Sequence, residues 1–141
     1  MKRNCIALVS CLLIVIAHSG LADIAIVVDS DSEVTSLSRN EAINIFMGRY
    51  RKLPGGGTAI PVDLVPVKEC FYQALVEQSL PEINAYWARL IFSGQASPPM
   101  QLDAFGELTD LMQHNRGAIS YMDSEAVSDD VRVLLTLSES D

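Results

Sequence analysis

Cysteine and histidine are scarce in this chain of 141 residues, with three cysteines and two histidines. Cys5, Cys11 and His18 all fall near the amino terminus, inside a segment interpreted below as a leader. Without that segment the chain keeps only Cys70 and His114. An internal disulfide and a His/Cys metal cluster are therefore excluded, and the fold must be stabilised by packing.

Long apolar runs are also missing, apart from one at residues 5–17. That run is shorter than the roughly 18–20 residues of a membrane-spanning helix. Lys2 and Arg3 precede it, and Gly20-Leu21-Ala22 offers a small-x-small cleavage site. This pattern predicts a secretory signal peptide at 1–22 and a mature domain at 23–141. We therefore expect a periplasmic protein with no membrane insertion after cleavage.

Two other interpretations of the leader stay open. The apolar run could remain uncleaved as an anchor. The stretch 8–11 (LVSC) resembles a lipidation box ending at Cys11. Cleavage there would leave a leader core of only 5–10, below the roughly seven apolar residues expected of a signal peptide.

Positive charge is sparse, with 10 basic against 18 acidic residues and a net charge of −8. Loss of Lys2 and Arg3 with the leader would make the mature domain still more acidic. Such a surface repels phosphate backbones and anionic headgroups. We therefore expect no nucleic-acid partner and no membrane-surface partner.

Catalytic patterns are absent as well. There is no Gly-x-Ser-x-Gly motif, and His114 alone could act as a base in a serine hydrolase. Carboxylates are plentiful but show no spacing that marks a glycosidase pair. The turn 54–57 (PGGG) lacks the Lys-Ser/Thr ending of a phosphate loop and precedes a strand. The sequence predicts a non-enzyme without cofactor or metal.

Alternating strands and helices predict one α/β domain with a mixed sheet flanked by helices. The continuous apolar run 24–28 predicts a central strand with both faces covered, and further strands are predicted at 58–62, 118–122 and 131–137. Ser38 with Glu41 predicts a capping box, and that helix should end near Gly48. Further helices are expected to include Val67 in a second apolar stripe, to follow the cap Ser79, and to begin at Asp103.

The apolar spacing also predicts which helix faces are buried. In the second helix the stripe consists of Val67, Cys70, Phe71, Ala74 and Leu75, which predicts that Cys70 is a buried, unreactive thiol. In the third helix the expected inward residues are Ile83, Trp87, Leu90 and Ile91.

Helix N-termini after strands offer free N–H groups, so they can hold an oxyanion without a catalytic residue. Two loops qualify, each with a cation in the first turn of its helix. One contains Ser38 and Arg39, and the other runs from Asp63 to Lys68. These four residues are the candidate ligand-binding residues. The alternative is that both loops are ordinary helix caps with solvated charges.

Five stretches form an ordered set along the chain: 37–41 (LSRNE), 45–49 (IFMGR), 59–63 (AIPVD), 85–94 (AYWARLIFSG, followed by Pro98-Pro99) and 115–122 (NRGAISYM). Together they resemble the small phosphate-binding-protein-like components of ABC transporters. The resemblance implies a type II periplasmic-binding-protein fold. Full-size members close two lobes on phosphate, whereas this chain resembles the second lobe with a crossover strand.

The second loop departs from that family. Full-size members carry small and hydroxyl residues there, whereas this chain has 62–69 (VDLVPVKE). Pro66 removes an N–H donor and Glu69 adds negative charge, so only Asp63 and Lys68 keep plausible ligand chemistry.

Two functional hypotheses follow from the resemblance. The first is an exported, non-enzymatic solute-binding protein for phosphate or another small oxyanion, acting in ABC transport. The second is a one-lobed interaction module that has lost high-affinity phosphate binding and contacts an inner-membrane transporter, a sensor or a copy of itself.

Overall fold

The computed structural model describes residues 22–138, so nearly all of the predicted leader lies outside the described residues. Within them the chain forms five strands, four α-helices and two short 3₁₀ turns. In chain order the elements are β1 Ile24–Asp29, α1 Arg39–Phe46, β2 Ile60–Leu64, a turn at Val65–Val67, α2 Lys68–Val76, α3 Leu80–Phe92, β3 Met100–Leu102, α4 Phe105–His114, β4 Ala118–Asp123, a turn at Ser124–Ala126 and β5 Val131–Leu137.

The five strands form one mixed sheet in the order β3-β2-β4-β1-β5. β2 runs parallel to β3 and β4, while β1 is antiparallel to both β4 and β5. β1 thus has a neighbour on each side, and its residues from Ile24 to Val28 are all buried. The predicted α/β class, mixed sheet and central first strand are confirmed.

Helices cover both faces of the sheet, because β1 is buried on both sides and contacts α2 as well as α4. The α2 side of the core is aromatic. The rings of Phe71 and Tyr121 stack with centroids 3.6 Å apart, and Phe46 meets Phe71 edge-on at 4.7 Å. These contacts fix α2 against β4, which positions the loop that precedes α2.

Capping boxes begin α1 and α3. The hydroxyl of Ser38 accepts from the backbone N–H of Glu41, whose carboxylate accepts from the N–H of Ser38. Ser79 and Glu82 make the same pair, and both helix starts were predicted. The hydrogen bond from the serine N–H lowers the pKa of each glutamate.

Two predictions about helix faces are wrong. Cys70 is exposed, and so is Ile91, at 55%. The buried residues of α2 are instead Lys68, Phe71, Tyr72 and Leu75. The buried face of α2 is shifted by about one residue from the predicted stripe, because Lys68 and Tyr72 turn inward to contact the carboxylate of Asp63.

The strand β3 was not predicted, and β2 spans Ile60–Leu64 rather than 58–62. β3 has only three residues and directly follows Pro98-Pro99. So short a segment carries no readable alternation, and its pairing with β2 fixes it instead.

Candidate functional site

The loop between β2 and α2 is organised by Asp63, which points from β2 into the core and is 1% exposed. Its Oδ1 accepts hydrogen bonds from the hydroxyls of Tyr72 at 2.9 Å and Tyr121 at 3.0 Å. Its Oδ2 lies 3.2 Å from Nζ of Lys68 but accepts no hydrogen bond of good geometry among the described residues. Asp63 is therefore a buried carboxylate compensated by one cation and two hydroxyls.

The tyrosines respond to this environment. Burial raises the pKa of both Tyr72 and Tyr121, and the negative charge of Asp63 raises each pKa further. Both rings therefore stay neutral at physiological pH, which keeps their hydroxyls as donors to the carboxylate. Lys68 is also buried, with 9% of its surface exposed, and its ammonium faces Asp63.

The start of α2 lies at the ligand-facing edge expected of an α/β sheet. The parallel strands β2, β3 and β4 end at one edge, where such domains commonly bind ligands. No side chain caps the first turn of α2, although the N–H of Lys68 already donates to the carbonyl of Val65 in the preceding turn. The exposed side chains around the start of α2 are Val65 at 40%, Pro66, Glu69 and Cys70, and only the Cys70 thiol is a donor, a weak one.

Other acidic residues also follow the strands at this edge. Asp103 comes directly after β3, and Asp123 ends β4. The Asp123 carboxylate caps the next turn by accepting from the N–H of Glu125. An anion at this edge would meet carboxylates and a lysine whose charge is already balanced.

Ser38 and Arg39 do not share a site with Asp63 and Lys68. The Arg39 guanidinium donates to the carbonyls of Ala74 and Leu75 in the last turn of α2. Lys68 begins that helix, and the rise of about 1.5 Å per residue puts the two ends more than about 10 Å apart. Arg39 thus satisfies carbonyls at a helix end, and the four predicted residues divide between two places.

Tyr72 and Tyr121 belong to the site and were missed by the sequence analysis. The i, i+4 spacing of Lys68 and Tyr72 on one helix is a usable signal once Asp63 is known to be buried. Tyr121 lies 58 residues from Asp63 along the chain, and the sequence holds no mark of that contact.

Among residues 22–138, no group of three or more His, Cys, Asp or Glu side chains is placed to hold a metal ion. No helix in that same part of the chain is long and apolar enough to cross a membrane.

No protein-family profile and no curated protein matches this sequence. Solved structures do match. One is an ABC-type phosphate transport receptor from Vibrio cholerae, with a TM-score of 0.59 and 16% identity over 82% of this chain. Another, from Clostridium perfringens, is described as a phosphate ABC transporter substrate-binding protein with bound phosphate. Its TM-score is 0.60, with 18% identity over 82% of this chain.

The fold is that of a periplasmic-binding-protein lobe. The matches cover 47% and 46% of the two solved chains, so this chain spans about half of their length. The fold expected from the resemblance is confirmed. Sequence identities of 16% and 18% do not assign the ligand or the residue roles of these proteins to this chain. Both matched proteins are binding proteins rather than enzymes by their descriptions.

Proposed function

We propose that this chain is an exported, non-enzymatic protein of the solute-binding type, related to the substrate-binding components of phosphate transporters. The observation that carries the proposal is the structural match of this chain to about half the length of each of the two solved phosphate-transport proteins. The proposed ligand is a small oxyanion, with phosphate as the first candidate. The proposed place is the uncapped N-terminus of α2, beside Lys68 and Asp63.

The contacts available there support only weak binding. A hydrogen bond to a charged group contributes about 1.5–3 kcal/mol, whereas micromolar affinity requires about 8 kcal/mol. Lys68 already balances Asp63, and Glu69 stands exposed in the first turn of α2. Millimolar affinity is the consequence, far below that of a scavenging receptor.

Calorimetric titration at low salt tests this proposal, with phosphate, sulfate and chloride as probes. We expect phosphate to bind with a millimolar Kd. Glu69→Gln removes a negative charge beside the helix N-terminus and should tighten binding by about two- to fivefold. Glu77→Gln removes the same charge at the other end of α2 and should leave the Kd unchanged. Equal heats for all three anions would reject the oxyanion site.

The second candidate is the interaction module. The observation that favours it is the exposed Val65-Pro66 pair before α2, where the family that this chain resembles carries hydroxyl residues. Such a surface suits a protein partner: a transporter, a sensor or a second copy. Light scattering distinguishes the second copy, because a dimer disrupted by Val65→Asp would support it and a monomer at every concentration would contradict it.

A further inference from the structure

Charge is strongly segregated in this molecule. No acidic residue occurs at 42–62 or at 83–102, although the chain carries 18 of them. These two acid-free segments meet in space and line one open cavity of about 240 Å³. We call this cavity the basic groove, and its lining includes Ile45, Arg51, Thr58, Trp87, Pro98 and Met100.

Three cations without partners lie in this part of the chain, and one of them, Arg51, lines the groove. Arg49, Arg51 and Lys52 are all exposed, and their side chains make no ion pair or hydrogen bond within residues 22–138. The remaining cations of the described chain are Arg39, Lys68, Arg89, Arg116 and Arg132, and each contacts a carbonyl, a carboxylate or an aromatic ring.

The backbone holds the three cations in place. The N–H of Ala59 donates to the carbonyl of Arg51 at 3.0 Å, and Lys52 forms an antiparallel bridge with Thr58. This pairing attaches the cationic segment to the residues that lead into β2. The backbone of Arg51 and Lys52 is therefore paired, while their exposed side chains remain available to a partner.

The floor of the groove is apolar. Trp87 is 5% exposed, and its indole is held by packing alone because its buried N–H has no acceptor among the described residues. Met100 is 50% exposed at the rim. A cavity of this size accepts one large apolar side chain, with the cation Arg51 in its lining.

We propose that the basic groove binds an acidic segment of a partner protein, with one large apolar side chain in the cavity and flanking carboxylates paired with Arg49, Arg51 and Lys52. A concave, single-residue cavity suits a peptide better than a flat bilayer. A phosphate polymer would also extend beyond the groove over the surface of a chain whose net charge is −8, which repels it. The groove is separate from the start of α2, so this proposal does not depend on the oxyanion site.

Binding is tested with a heptapeptide that carries three glutamates on each side of a central phenylalanine. Trp87 is the only tryptophan in the chain and lines the groove, so its emission reports occupancy directly. We expect saturable binding that weakens as salt is raised. Replacing the glutamates with glutamines, or the phenylalanine with alanine, should each weaken binding at least about fivefold.

Variants locate the site. Arg51→Gln should weaken peptide binding by about two- to fivefold, the range for an exposed charge pair. Neutralising Arg49, Arg51 and Lys52 together should weaken it by about tenfold or more. Arg116→Gln removes an equally exposed cation outside the groove and should leave the Kd unchanged. All four positions are on the surface, and matching circular dichroism spectra would verify the folds.

Several results would overturn the proposal. Equal affinity for the acidic and the amide peptide would show that charge is not recognised. Equal losses from Arg51→Gln and Arg116→Gln would place binding elsewhere. Binding to phosphatidylglycerol vesicles or single-stranded DNA, with none to the peptide, would assign the cations to another class of partner. If the peptide, the vesicles and the DNA all failed to bind, the groove would have no binding role and the proposal would be wrong.

Discussion

At the scale of single residues, Asp63 determines how the β2–α2 region is built. A carboxylate that is 1% exposed must be compensated, because an unpaired buried charge costs several kcal/mol. Lys68 supplies the charge, while Tyr72 and Tyr121 supply hydrogen bonds. These groups already bind one another. The cluster therefore stabilises the loop, and few of its charges and hydrogen-bonding groups remain for a ligand.

Lys68→Met tests that dependence, because it keeps an unbranched side chain only one atom shorter and removes the charge. Breaking a buried ion pair on one side costs about 3–5 kcal/mol, and we expect a loss of that size in the free energy of unfolding. Urea denaturation measures it. Adding Asp63→Asn to the same chain removes the stranded charge and should recover part of the loss. If Lys68→Met alone left the free energy of unfolding unchanged, water would have to reach the carboxylate of Asp63.

The two buried tyrosines give a prediction for alkaline pH. Their pKa values are raised from 10.0 in the folded state, so above about pH 10 only the unfolded chain loses these protons. Stability is therefore fully present below pH 10 and falls as the pH rises past it. Each tyrosine contributes a slope of about 1.4 kcal/mol per pH unit.

Urea denaturation at a series of alkaline pH values, followed with tyrosinate absorbance, measures this slope. Tyr72→Phe should remove one of the two contributions and make the decline shallower. A Tyr72→Phe slope equal to that of the parent protein would show that Tyr72 ionises freely in the folded state.

At the scale of secondary-structure elements, helix ends connect parts of the fold that are distant in sequence. The Arg39 guanidinium in the first turn of α1 satisfies carbonyls in the last turn of α2. The Tyr86 hydroxyl of α3 donates to the carbonyl of Met47, just after α1, at 2.6 Å. Carbonyls at the ends of α1 and α2 thus join α1, α2 and α3.

Gly48 ends α1 in a position that admits no side chain. Its φ is +72°, and a Cβ there would lie 2.7 Å from Trp87 Cη2. Gly94 has a similar φ of +68° but open space around it. Alanine at either position incurs about 1–2 kcal/mol of left-handed strain, whereas only Gly48→Ala adds overpacking of about 1–3 kcal/mol.

We therefore expect Gly48→Ala to destabilise the protein by about 1–3 kcal/mol more than Gly94→Ala in urea denaturation. The shift should be accompanied by altered Trp87 emission, since the clash involves that ring. Equal losses for the two variants would show that Trp87 moves aside without cost.

Elements specified by local chemistry could be predicted from the sequence, and those set by distant contacts could not. The capping serines and the central strand β1 follow from residues next to one another. β3 and the exposure of Cys70 do not, because β3 depends on its pairing with β2 and the rotation of α2 depends on Asp63. The same holds for the candidate site: Asp63 and Lys68 were predicted as ligand residues from their place in a loop, but the sequence did not indicate that they neutralise each other.

At the scale of the whole molecule, two surfaces of opposite character lie apart. The edge at the start of α2 is acidic and apolar, with Glu69, Asp103 and Val65 exposed. The basic groove draws its lining from acid-free segments. A domain with the fold of half a receptor can thus carry a weak ligand edge and a separate partner surface, and each can fail its test without affecting the other.

The predicted cleavage site of the leader can be tested, because cleavage must leave β1 intact. Ala22 and Asp23 are exposed, and the Asp23 carbonyl accepts a hydrogen bond from the Ser124 N–H at 2.8 Å. Cleavage after Ala22 keeps that bond and the whole strand from Ile24 onward. Cleavage even two residues later would remove both the bond and the first sheet position.

We therefore expect the protein recovered from the periplasmic fraction to begin at Asp23, as measured by intact mass and N-terminal sequencing. Replacing the small residues of the cleavage site, with Gly20→Arg and Ala22→Arg, should leave the leader attached. A mature chain that begins at a lipid-modified Cys11 would support the lipidation alternative, and a full-length chain in the membrane fraction would support the anchor. Either result would move both proposed surfaces to the membrane, where only partners within reach of the anchor could occupy them.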